Sequence, residues 1–197
     1  VELDRIVGAA ALDAIERDTR ADSGKLDTAA ARVEAFATVF PSRLDDARAR
    51  LAPLVSESIV DAARARGTDL AGATELVKAF SVTFPGQASA LRSDVAQVLW
   101  RAIEMKAEKQ PGQLKPIANL LREYQVAFAQ DYEALSGALA SRTARGIRSS
   151  ARDTKVSLVE VASMLEQFRS LFPSQHKAVA EDVGGALVER LAGAKVN

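Results

Sequence analysis

Leu70-Ala71-Gly72-Ala73-Thr74-Glu75-Leu76-Val77-Lys78-Ala79-Phe80-Ser81-Val82-Thr83-Phe84-Pro85 is the stretch that decides the fold. Its residues Leu70, Ala73, Val77, Phe80 and Phe84 follow one another at spacings of three and four, so a single helix face carries all of them. Proline lacks the amide that would continue the helix and disfavours α geometry in the residue before it, so the helix should end at Phe84. The aromatic pair returns every 44 residues, as Phe36 and Phe40, Phe80 and Phe84, Tyr124 and Phe128, and Phe168 and Phe172. Proline follows the second aromatic at Pro41, Pro85 and Pro173, and Ala129 takes its place in the third unit. That exception marks the third turn as one whose angle should differ.

The other apolar columns keep the same interval. Upstream of the aromatics stand Leu26, Leu70, Leu114 and Leu158, then Ala29, Ala73, Ile117 and Val161, then Val33, Val77, Leu121 and Leu165. Downstream, Ala47, Leu91, Leu135 and Val179 are followed four residues later by Leu51, Val95, Leu139 and Val183, and eight after that by Ile59, Ile103, Ile147 and Leu191. Val55, Leu99, Thr143 and Leu187 lie between. These offsets predict a second helix of roughly 20 residues in each unit. Trp100 and Val188 share a column off this stripe, which gives the second helix another apolar side for a neighbouring unit. Ser42 with Asp45 three residues later resembles a capping pair that starts the second helix of the first unit.

Leu3, Val7, Ala11 and Ile15 fit the second-helix columns with no first helix before them. The chain therefore reads as one domain over 1–197, with a half-repeat at 1–22 and repeats at 23–66, 67–110, 111–154 and 155–197. The start at Val1 within a repeat indicates a processed product or part of a longer chain. Turns are expected near Ser23-Gly24, Arg66-Gly67-Thr68, Gln110-Pro111-Gly112 and Arg152-Asp153-Thr154. At this period the chain resembles the HEAT and armadillo class of α-solenoids, whose repeats run to roughly 40–47 residues. The resemblance covers essentially the whole chain by period and hairpin layout. It implies an all-α fold: a right-handed α-solenoid of antiparallel helix hairpins, about nine helices in all. A long up-and-down helical bundle built by duplication is the alternative.

Chemistry is sparse beside this regularity. The 197 residues hold no cysteine, one histidine, and 26 basic against 26 acidic residues. Disulfides and thiolate chemistry are excluded, the whole molecule lacks a net field for nucleic acid, and no apolar run suits a membrane span. His176 shares its column with Leu44, Ala88 and Tyr132, which makes it a packing or capping residue. Asp45-Asp46 and Glu181-Asp182 lie near second-helix starts, where acids favour the positive end of the helix dipole. Gly184-Gly185 lacks the spaced glycines of a nucleotide loop; it marks close packing or a weakened last helix. No cofactor, metal or small-molecule substrate is implied, and the chain reads as a non-enzyme.

One surface feature departs from the background. Arg142, Arg145, Arg148 and Arg152 recur at helical spacing, a stripe about 120 degrees wide in the third unit. Thr143 and Gly146 thin the apolar face beside them. Guanidinium groups suit carboxylate and phosphate recognition, so these four arginines are the candidate partner-binding residues, with a solvated or internally paired face as the structural reading. Two surface columns, Arg20, Arg64, Glu108, Arg152 and Glu34, Lys78, Arg122, Glu166, change charge from unit to unit, which argues against a modular base reader. The leading expectation is a protein-interaction scaffold. The alternatives are an RNA-associated repeat protein of an RNA-processing complex and a repeat domain of a secreted bacterial effector. The expected setting is soluble, in the cytoplasm or an organelle matrix rather than outside the cell.

Overall fold

A computed structural model describes residues 2–109 and 114–193. Among the described residues there are nine α-helices and no strand. They are α1 (Glu2–Ala21), α2 (Leu26–Val39), α3 (Leu44–Arg66), α4 (Leu70–Thr83), α5 (Ala88–Lys109), α6 (Leu114–Ala127), α7 (Ala129–Arg152), α8 (Leu158–Leu171) and α9 (Pro173–Gly193). Each of α2, α4, α6 and α8 is 14 residues long and opens on the recurring leucine. The longer helices α3, α5, α7 and α9 run for 21 to 24 residues. The expected turn at Gln110-Pro111-Gly112 and the side chain of Leu3 lie outside the described residues.

The first helices stop where the proline rule places them, at Phe40, Phe84 and Phe172, with φ near −130° and ψ near +60° in each. Phe128 corrects the expectation for the third unit: at φ −134° and ψ 50° it makes the same turn without a proline. The cause lies in the aromatic pair. Each second aromatic folds its ring onto the one four residues earlier, at centroid distances of 5.1 Å (Phe36–Phe40), 4.8 Å (Phe80–Phe84), 5.1 Å (Tyr124–Phe128) and 5.0 Å (Phe168–Phe172). Such pairs contribute about 0.5–1.5 kcal/mol beyond the area they bury. The backbone closes in the same way each time. The amide of the second aromatic bonds the carbonyl of the first at 2.7–2.8 Å, and its own carbonyl accepts the amide three residues on.

The helix starts are less uniform. Asp69 accepts the Gly72 amide at 2.9 Å, and Ser157 with Glu160 forms a full capping box. The expected pair Ser42 and Asp45 does not cap: a 3₁₀ turn over Pro41–Arg43 runs directly into α3, whose N-cap is Arg43 with no side-chain bond. Continuity from the turn removes the need for a capping side chain. The α1–α2 turn takes two residues of positive φ, Ser23 at 58° and Gly24 at 64°. A Cβ on Gly24 would lie 2.4 Å from the Leu54 carbonyl oxygen, so this position requires glycine on both counts.

The chain divides into two compact units, Val1–Leu99 and Trp100–Asn197, with the border inside α5. In the first unit α1 packs on α3, α2 on α4, and the sequential neighbours α1–α2, α2–α3 and α3–α4 touch. In the second, α7 packs on α9 and α6 on α8, again with sequential neighbours in contact. Second helices thus lie beside second helices, and first beside first. Ala29, Val33, Phe36, Ala47, Leu51, Val55 and Ile59 fill the core of the first unit. Ile117, Leu121, Tyr124, Leu139, Ile147, Phe168 and Val183 do so in the second. The columns weaken at the last repeat, where Leu158, Val188 and Leu191 are exposed. Of the two readings of Gly184 and Gly185, close packing does not hold, because a Cβ on either would meet nothing within 4 Å.

Candidate functional site

The arginine stripe lies along α7 in the second unit, and its four members have different surroundings. Arg142 reaches back to α5, with Nη1 2.9 Å from Glu108 Oε1 and 3.5 Å from Glu104 Oε2. Arg148 and Arg152 reach forward to α9, Arg148 pairing with Asp182 and Arg152 lying 3.3 Å from Glu189. Arg145 is exposed and forms no ion pair among the described residues. The stripe that the sequence presents as one surface is therefore a set of ties to both flanking helices, plus one free guanidinium.

Glu104 explains why Arg142 is held. Burial strips water from its carboxylate, which must be answered by hydrogen bonds or charge. Trp100 Nε1 donates to Glu104 Oε1 at 3.1 Å, and the second oxygen faces Arg142. Trp100 is itself buried, its ring edge-on to Tyr124 at 5.1 Å. Burial pushes the Tyr124 phenol well above its ordinary range, with the Asp131 carboxylate adding to the shift. The aromatic ladder thus anchors a tryptophan, the tryptophan a carboxylate, and the carboxylate an arginine. Sequence reasoning passed over Glu104 because its column otherwise holds Glu16, Val60, Arg148 and Ala192, with no common chemistry. The available signal was an acid four residues after the only tryptophan.

Between α5 and α7 runs a groove of about 410 Å³ lined by Ala107, Glu108, Leu139, Arg142, Thr143, Arg145 and Gly146. Its apolar part comes from Ala107 and Leu139, and the small residues at 143 and 146 keep it open. A second groove of about 490 Å³ lies between α6 and α8, lined with Lys115, Asn119, Arg122, Glu166 and Gln167. There the Gln167 carbonyl accepts the Leu114 amide at 3.0 Å and caps α6 from a neighbouring helix.

His176 sits partly exposed on the first turn of α9. Among the described residues no three His, Cys, Asp or Glu side chains gather as a metal would require, and no helix is long and apolar enough to cross a membrane. Comparison with known proteins gives no match, whether to family models, curated proteins or solved structures.

Proposed function

We propose that the chain is a non-catalytic interaction scaffold, a right-handed α-solenoid of helix hairpins, which holds an acidic surface of a partner protein in the groove between α5 and α7. The packing of second helices on second helices and first on first, within each unit, supports the solenoid reading. The pairing of Arg142, Arg148 and Arg152 with the molecule's own carboxylates carries the choice of partner. A phosphate backbone needs a run of free cations to displace its counterions. This stripe offers one, Arg145, beside apolar Ala107 and Leu139.

That arrangement suits a carboxylate at the end of an apolar stem. Arg145 supplies a planar pair of donors, which a carboxylate meets with two hydrogen bonds. Arg142, already neutralised by Glu104 and Glu108, walls the groove without having to be ordered on binding, which leaves Arg145 as its charge contact. Arg145→Glu should cut capture of the partner at least tenfold while helical content and melting temperature stay unchanged. Capture that survives the reversal would retire the groove.

A further inference from the structure

We propose that the groove between α6 and α8 binds a phosphorylated serine or threonine of a partner protein, with Lys115 and Arg122 as the cations that hold its phosphate. The groove encloses about 490 Å³ between two first helices that pack on each other within the second unit. One wall is a stripe of α6. Lys115, Asn119 and Arg122 follow at spacings of four and three, so they share a helix face, and all three line the groove. None of them makes a hydrogen bond or an ion pair among the described residues. The α8 wall is already engaged. Glu166 accepts from Arg169 Nη2 at 2.6 Å, the Gln167 side chain accepts the Leu114 amide and donates to Ser163, and the Ser170 hydroxyl donates to the Gln167 backbone carbonyl.

Donors therefore dominate the open part of the groove. Lysine and arginine offer donors alone, and Asn119 adds an amide group with two more and one acceptor carbonyl. A ligand that satisfies this wall must bring acceptor oxygens and negative charge. The two cations lie roughly 10 Å apart along the helix axis, with Asn119 between them, a span that their long flexible stems can close on one group. A phosphomonoester carries about two negative charges and three acceptor oxygens, which matches two cations and an amide. A carboxylate leaves one cation unanswered. Glu166, the one acid lining the groove among the described residues, is neutralised by Arg169 and does not oppose an anion.

The combination of cation, amide and cation belongs to this unit alone. The same three columns hold Asp27, Ala31 and Glu34 on α2, Ala71, Glu75 and Lys78 on α4, and Val159, Ser163 and Glu166 on α8. The volume points to the source of the phosphate. A cleft of this size suits a larger ligand than phosphate itself, and Leu114 and Ala118 give it an apolar part that side chains flanking a phosphorylated residue would cover. This site is separate from the α5–α7 groove, which lies among the second helices, and does not rest on it.

A heptapeptide with one phosphoserine between leucines is the probe, titrated into the intact protein beside its unphosphorylated form, inorganic phosphate and oligouridylate. The phosphopeptide should shift the Asn119 side-chain amide resonances saturably and bind roughly tenfold or more tighter than the other three. Arg122→Glu and Lys115→Glu should each remove that advantage with circular dichroism unchanged, because both side chains are exposed and unpaired among the described residues. Arg145→Glu should leave it intact, which separates this site from the α5–α7 groove. Equal binding of the phosphorylated and unphosphorylated peptides, or a preference indifferent to Arg122→Glu, would overturn the proposal. So would inorganic phosphate or oligouridylate binding as tightly as the phosphopeptide, since that outcome assigns the two cations to a free anion or to RNA.

Discussion

Phe80 has no exposed surface and holds the Phe84 ring at 4.8 Å, so its loss leaves a cavity that the two helices around it cannot close. Phe80→Ala should cost about 3–5 kcal/mol in chemical denaturation; a cost below about 1 kcal/mol would refute the packing. The core role of such residues was legible because a 44-residue interval repeats the same apolar types at the same offsets. Charge partners were not. Arg142 and Glu108, and Arg148 and Asp182, are each separated by 34 residues on neighbouring second helices. Periodicity gives the face of a helix, but the lateral register between helices decides which carboxylate lies within reach. Glu16 is another case, bonded by Arg50 Nε at 2.8 Å and held below its ordinary value of 4.5, chiefly by that bond. A depressed carboxyl stabilises fully above its unfolded pKa, and the contribution disappears as pH falls through the folded one. Glu16→Gln should therefore melt below the parent at pH 7, with the gap closing below pH 4.5, as a thermal series from pH 7 to 3 would record.

Helix ends show the same division between what local chemistry fixes and what neighbours fix. Proline predicts three of the first-helix ends, yet Phe128 turns alike before Ala129, so the aromatic pair sets the geometry and proline reinforces it. Phe128 already has the backbone that precedes proline elsewhere, and Ala129 opens α7, where a missing amide is tolerated. Ala129→Pro should accordingly raise stability by about 0.4–1 kcal/mol through the unfolded chain, measured as a shift in denaturation midpoint. Destabilisation would show that the third turn differs after all. Within α9, Gly184 and Gly185 lower helix propensity without any packing role, so changing each to alanine should add about 0.5–1 kcal/mol. A lost cap or a neighbour's side chain leaves no pattern within one helix. The capping expectation at Ser42 therefore failed, and the cap that Gln167 gives α6 could not be read in advance.

At the scale of the molecule, an all-α architecture with alternating short and long helices was legible from the columns. What the columns did not separate is the division into Val1–Leu99 and Trp100–Asn197, since α5 carries the same pattern on both sides of the border. The proposed groove lies within the second unit, on the helices where the ladder's tryptophan, the buried Glu104 and the thinned face at Thr143 and Gly146 occur together. The proposal of a protein contact rests on Ala107 and Leu139 beside the exposed Arg145, whereas a nucleic-acid track calls for the stripe's other cations to be unpaired. Affinity purification with wild type and Arg145→Glu, each with and without nuclease, tests this reading most directly. The expected result is a protein partner that withstands nuclease and is lost with Arg145→Glu; a partner released by nuclease, or retained by the variant, would overturn the protein-scaffold reading.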